Sequence, residues 1–264
     1  MFRLENKIAW ITGAASGLGK ALSIGLARKG MKLVLIDKDR EGLDQLISDL
    51  VSGPHLGLCV DLCCHQDLEK QIDEIDSSFT NVDVLINCAG FVTVGFLDDI
   101  PVEAFKKIVD VNFYSALILI KKALPVMRRK RSGQIVNVSS AMGRRSAPIN
   151  TAYCITKAAL NSLTEGFRLE VEDDNINVML VSPGPMDTHL RFNYERYGRI
   201  DGYEINLKLH PPEIMAAKII RGLEKESRRV TKFTPVEIYL LINFFFPSVA
   251  DRIMKFMLLR KINR

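Results

Sequence analysis

Six short apolar runs recur along the chain, at Ile8–Ile11, Leu33–Ile36, Leu58–Val60, Val84–Ile86, Ile135–Val138 and Val178–Val181. Each reads as a strand, and stretches with helical patterning lie between them. Such alternation predicts a parallel sheet with helices on both faces, an α/β domain. Gly13, Asp37, Asp61, Asn87, Ser140 and Pro183 all fall at or just beyond the carboxyl ends of these predicted strands. Open α/β sheets bind ligands at that edge. A length of 264 residues suits one such domain with a full core. No linker, repeat or low-complexity segment separates a second domain. Residues 1–233 are therefore expected to form the nucleotide-binding and catalytic domain, and residues 234–264 an extension of it.

The first strand feeds directly into Thr12-Gly13-Ala14-Ala15-Ser16-Gly17-Leu18-Gly19, and a helix is predicted from Ala21 to Arg28, with Gly30 as its stop. Glycines at 13, 17 and 19 permit a tight turn and a close approach of backbone N–H groups to a phosphate. The helix N-terminus behind them adds a positive dipole end. The spacing is G-x-x-x-G-x-G, not the more common G-x-G-x-x-G. A glycine-rich turn by itself can be purely structural; one that follows a strand and opens a helix fits a dinucleotide loop.

The second strand, Lys32 to Ile36, ends in Asp37, about 20 residues beyond the glycines. A carboxylate there would accept from both ribose hydroxyls of NAD and repel a 2′-phosphate. Asp37 could instead cap the helix that starts near Arg40. Lys38 and Arg40 lie close by and soften the discrimination. NAD is the expected cofactor, with NADP left open.

Tyr153 and Lys157 stand four residues apart, and on a helix such positions share a face. A phenol ordinarily loses its proton near pH ~10. A cation beside it favours the phenolate and is expected to bring that pKa toward working pH. The pair could then exchange a proton with an alcohol or carbonyl. A bare Y-x-x-x-K is a weak signal, because such pairs are often surface neighbours.

Together these segments resemble the short-chain dehydrogenase/reductase family over nearly the whole chain, in the family's order and spacing. Thr12–Gly19 matches its cofactor loop, and Asp61-Leu62 the pair beside the adenine. Asn87-Cys88-Ala89-Gly90 matches its strand-end motif, with Cys88 in place of a second asparagine. Asn137-Val138-Ser139-Ser140 matches the serine segment, and Pro183-Gly184-Pro185-Met186-Asp187-Thr188 the nicotinamide loop. The resemblance implies a single-domain Rossmann-like, doubly wound sheet. It implies cofactor contacts from Gly13, Ser16, Gly17, Leu18, Gly19, Asp37, Asp61, Leu62, Asn87, Ala89, Gly90, Tyr153, Lys157, Pro183, Gly184, Met186 and Thr188. Its catalytic set maps to Asn112, Ser140, Tyr153 and Lys157. Ser140, thirteen residues before Tyr153, is the serine at the family's separation. Ser139 is then expected to hydrogen-bond its own backbone. Asn112 would hold a water linking Lys157 to solvent, or be a satisfied polar residue in a helix kink. Thr156, where serine is commoner, keeps the hydroxyl.

Five cysteines, at 59, 63, 64, 88 and 154, form no C-x-x-C pair or zinc spacing, and their odd number argues for reduced thiols and a cytoplasmic location. Cys154 is expected to fill the core. His55, His65, His189 and His210 have no ligand spacing, so no metal site is expected. His189 and His210 flank the segment that should shape the substrate pocket, and read as surface residues or substrate contacts. The N-terminus reaches its first strand within a few residues, leaving no room for a signal peptide. The net charge of +5 comes without the aromatic–basic interleaving of nucleic-acid binders, so no nucleic acid is expected.

The tail changes this picture. Val236–Phe246 is nearly all apolar but shorter than the ~20 residues a bilayer span needs. After Pro247 an amphipathic segment follows, and Arg260, Lys261 and Arg264 close the chain. Such a tail lies on an anionic membrane surface, or packs on the protein's own core, substrate loop or partner subunit. The segment around Gly222 to Ile262 is similar to that of the lipid-droplet type 17β-hydroxysteroid dehydrogenases and the retinol dehydrogenases, without their N-terminal anchor.

The expected activity is interconversion of a secondary alcohol and a ketone on an apolar, steroid-, retinoid- or lipid-like small molecule, in a homodimer or homotetramer. The resemblance implies that Ser140 and Tyr153 hold the substrate oxygen, Tyr153 moves the proton and the nicotinamide carries the hydride. Alternatives are an NADPH-dependent keto-lipid or ketoacyl reductase, against which Asp37 speaks, and a non-catalytic membrane-surface or scaffold relative, against which the complete set of Asn112, Ser140, Tyr153 and Lys157 speaks.

Overall fold

Successive residues of a strand point to opposite faces, and the apolar runs use both. Along β1 (Ile8–Thr12), Ile8 and Trp10 enter one apolar layer while Ala9 and Ile11 enter the other. Such two-sided burial requires helices on both sides. The structure, a computed structural model, describes residues 1–51, 53–187, 194–198, 200, 209–231 and 235–258. The chain continues through α1 (Gly17–Ala27), β2 (Lys32–Asp37), α2 (Arg40–Asp49), β3 (His55–Cys59), α3 (His65–Asp73), β4 (Val84–Asn87), β5 (Val92–Val94) and α4 (Val102–Val109). It then forms α5 (Ser115–Lys130), β6 (Gly133–Val138), α6 (Thr151–Glu170), β7 (Ile176–Ser182), β8 (Tyr194–Arg196), α7 (Pro212–Glu224), β9 (Arg229–Thr231), α8 (Pro235–Phe245) and α9 (Pro247–Leu258).

Seven strands form one parallel sheet in the order β3-β2-β1-β4-β6-β7-β9. Side chains of α1, α2 and α7 cover one face, and those of α3, α5 and α6 the other. This is the doubly wound, Rossmann-like α/β sheet expected from the apolar runs. The strand order reverses between β1 and β4, which places the ligand crevice at their carboxyl ends.

Several boundaries differ from expectation. The third strand runs over His55–Cys59, and Val60 follows it, donating to the Asp37 carbonyl at 2.9 Å. β3 is an edge strand and half-buried throughout, so it tolerates a histidine and a glycine that an inner strand would not. β9 lies at the opposite edge, and β8 pairs in parallel with β5 outside the main sheet. α1 begins at Gly17, four residues before the predicted start.

Candidate active site

The candidate cofactor strip lies where β1, β2 and β4 end. The Thr12 hydroxyl oxygen accepts from the Cys88 and Ala89 N–H groups, each at 3.0 Å, and fastens the end of β1 to the end of β4. Gly13 turns with φ +68, and a Cβ there would sit 2.9 Å from Ala89 Cα. A Cβ at Gly19 would lie 1.9 Å from the Gly13 carbonyl oxygen, so the first turn of α1 is folded against the loop. Ser16 precedes that helix without a side-chain capping bond, and Gly17 and Leu18 complete its open end.

Asp37 closes β2. Its carboxylate accepts from the Ala15 N–H at 3.0 Å and the Asp39 N–H at 3.2 Å. It does not cap α2, as one reading of the sequence allowed. Asp39 does, accepting from the Gly42 N–H at 3.0 Å, because it sits one residue before the first helical turn. Asp61 lies beyond β3, where it accepts from the Cys63 N–H at 3.0 Å beside the buried Leu62.

At the end of β4, Asn87 donates to Asn137 at 2.8 Å, and Asn137 donates to Thr164 at 2.9 Å. Asn87 Oδ1 is buried without a hydrogen-bond partner. An acceptor left over in a buried place needs a donor. A glycine cradle that a Cβ would fill, a carboxylate at the next strand end and this orphaned oxygen fit a nicotinamide dinucleotide. Pro183, Gly184 and Met186 follow β7, and the Asp187 N–H donates to the His210 carbonyl at 3.0 Å. Thr188 and His189 lie outside the described residues.

The second half of the site rests on α6. Ser140 ends the segment after β6, Tyr153 and Lys157 lie on one face of α6, and both are buried. Ser140 accepts from the Met142 N–H at 3.1 Å, and its hydroxyl hydrogen-bonds Tyr153. Lys157 Nζ donates to the Val138 carbonyl at 2.9 Å and stands 5.7 Å from the Tyr153 ring centroid. Gly90 makes this approach feasible, since a Cβ there would come within 3.2 Å of Asn112 Oδ1 and 3.3 Å of Lys157 Nζ. Asn112 sits in a π-helical turn between α4 and α5. Its Oδ1 accepts from the Phe91 N–H at 2.9 Å, and its Nδ2 donates to the Phe91 carbonyl at 3.0 Å and to Thr156 at 3.1 Å. Ser139 donates to the Lys157 carbonyl at 3.1 Å instead of bonding its own backbone, because α6 packs directly over it.

The electrostatics correct one expectation. Burial pushes the Tyr153 hydroxyl up to about 12, and the Ser140 hydrogen bond pulls it down. Burial also pushes Lys157 down to about 8, with Cys88 opposing. The lysine is itself so desolvated, and so turned toward Val138, that it does not bring the phenol to neutral pH on its own.

Apolar side chains surround the pair. Ile100, Ala104, Ile108 and Ala152 pack with Tyr153, and Phe91 and Met142 lie against them. Ile149, just before α6, adopts φ +60, an uncommon state for a β-branched residue, and its carbonyl accepts from the Gly95 N–H at 2.8 Å. All five cysteines are free. Cys154 is buried and accepts from the Ala147 N–H at 3.4 Å, a packing role. Among the described residues no cluster of His, Cys, Asp or Glu could hold a metal ion.

The roles of Asn137 and Thr12 were missed in the sequence. A polar residue inside the otherwise apolar run Ile135–Val138 was the available signal for the first. Arg145, which reaches Tyr239 and Asp251, carried none.

The family model for short chain dehydrogenases matches residues 7–196. Dehydrogenase/reductase SDR family member 7B of Bos taurus is 31% identical over 271 residues, covering 96% of this chain and 83% of its own. An uncharacterised oxidoreductase of Staphylococcus aureus strain MRSA252 is 29% identical, covering 88% and 97%. Among solved structures, a short-chain dehydrogenase from Streptomyces avermitilis superposes with TM-score 0.83 at 25% identity, covering 95% of this chain and 96% of that one. The chain belongs to the short-chain dehydrogenase/reductase family.

Proposed function

We propose that the protein is an NAD-linked oxidoreductase that interconverts a secondary alcohol and its ketone on an apolar small molecule. The observation that carries this reading is the half-buried Ser140 beside the buried Tyr153 and Lys157 at the carboxyl ends of the strands, with Ile100, Ala104, Phe91 and Met142 packed around Tyr153. Ser140 and Tyr153 hold the substrate oxygen, and Tyr153 moves its proton. Lys157 supplies a cation beneath Tyr153, and Asn112 fixes the Phe91 backbone, just before β5, and Thr156 around it. NAD, when bound, supplies the hydride chemistry. Gly13 to Gly19, Asp37, Asp61, Leu62, Asn87, Ala89, Gly90, Pro183, Gly184, Met186 and Thr188 are its binding residues. A panel of apolar secondary alcohols, scored for NADH formation, tests the reading. Absence of turnover with every alcohol and with the matching ketones would overturn it.

Asp37 sets the cofactor preference through its charge at the β2 end. Fluorescence titration is expected to give tighter binding of NADH than of NADPH. The reverse order would mean that Lys38 and Arg40 outweigh the carboxylate and would favour an NADPH-dependent ketone reductase.

A further inference from the structure

The outward face of α8 is inverted relative to an ordinary surface helix. Its inner side is fixed by Leu240, 8% exposed, and by Tyr239, whose hydroxyl donates to the Ala250 carbonyl of α9 at 3.3 Å. Its outer side carries Ile238, Leu241, Phe244 and Phe245, and the apolar surface continues over Phe246 to Val249. Phe244 is 78% exposed, and its ring meets that of Phe245 edge-on at 5.0 Å between centroids. Helices at a water surface present polar residues outward. Single exposed apolar side chains need no explanation, but a contiguous apolar corner does.

The charges around this corner select its partner. Asp251 is the only acidic residue after Glu237. It is engaged by Arg145, which lies on the connector between Ser140 and Tyr153 and also donates to Tyr239 at 3.5 Å. That clamp ties α8 and α9 to the wall of the active site and leaves Arg252 and Lys255, both exposed, as the other charged residues described on α9. Arg260, Lys261 and Arg264 follow in the sequence. A second copy of the chain would bring like charges together, whereas an anionic surface complements them. Among the described residues no helix is long and apolar enough to cross a membrane, which restricts contact to the interface.

We propose that this corner docks the protein on an anionic phospholipid bilayer, with Phe244, Phe245 and Phe246 entering the interface beside Arg252 and Lys255. Vesicle flotation of the full chain tests this without reference to turnover, so its outcome is separate from that of the substrate reading. The protein is expected to co-float with phosphatidylcholine–phosphatidylglycerol vesicles at low salt, and several-fold less at high salt. Arg252→Glu with Lys255→Glu should weaken partitioning by about tenfold or more. Phe244→Ser with Phe245→Ser should do likewise, with the melting curve and the rate on a water-soluble alcohol unchanged. If that double variant misfolds, the charge pair alone carries the test. No flotation at low salt overturns the proposal. Equal flotation with neutral vesicles, indifferent to the charge pair, overturns the anionic partner. A dimer by light scattering that Phe244→Ser dissolves, with no flotation, would assign the corner to a second copy instead.

Discussion

Tyr153→Phe is expected to lower turnover by at least about 10²-fold, the usual size of a general acid–base contribution, while NADH affinity stays within a few-fold. The substitution removes one oxygen from a ring that is buried among Ile108, Ala152 and Phe91, so the packing around it survives. It deletes the group that the Ser140 hydroxyl bonds and that Lys157 underlies. Stopped-flow and steady-state rates on the best alcohol, with a parallel NADH titration, separate chemistry from binding. A near wild-type rate would remove Tyr153 from the mechanism. The pH profile carries a second signature. On the proposed mechanism ketone reduction needs a protonated Tyr153, and burial keeps the phenol protonated up to about 12. Lys157 loses its cation as pH climbs through about 8. The reductive kcat/KM is therefore expected to fall above about pH 8, on a limb that belongs to the lysine and not to the phenol.

Gly19→Ala should have the next largest effect. Its Cβ would overlap the Gly13 carbonyl, 1.9 Å from the oxygen and 2.6 Å from the carbon. Neither atom is the end of a flexible side chain, so the loop itself must move. Overpacking of this kind costs about 1–3 kcal/mol. A misplacement of around 1 Å in a positioning element can cost about 10²-fold, and here it would appear as weaker NADH binding. Denaturant melts and NADH titration read the two effects independently. Unchanged binding in a variant of normal stability would show that the loop does not hold the dinucleotide.

The parts of this site that were legible in the sequence are local. Gly13 to Gly19, Asp37 and the Tyr153–Lys157 pair each declare themselves within one strand–turn–helix unit or one helical turn, where spacing alone fixes direction. The inner strands were legible for a similar reason, because burial on both faces leaves continuous apolar runs. The edges were not. His55–Cys59 and Arg229–Thr231 are half-exposed and owe their extended form to a neighbour on one side. Long-range side-chain links left no trace either. Asn87 meets Asn137 across 50 residues, and Arg145 meets Tyr239 across 94. The ionisation of Tyr153 was misread because spacing places a cation nearby but says nothing of how much water is excluded. Ser139 was misread because its partner, the Lys157 carbonyl, arrives from a helix 18 residues on.

The buried ammonium of Lys157 sets the molecule's resilience against its activity. In an unfolded chain the lysine keeps its proton up to about 10.5, whereas in the fold it gives it up near 8. Between these values the unfolded state binds more protons, so Lys157 makes the fold more stable as pH rises through that window. Tyr153 acts in the opposite sense above about 10, where the unfolded chain loses a proton that the fold retains up to about 12. For this pair of groups, mild alkali is the most comfortable condition for the fold and a poor one for reduction. Replacing the lysine with an apolar residue would remove this burial cost, and on the proposed mechanism it would remove the chemistry with it.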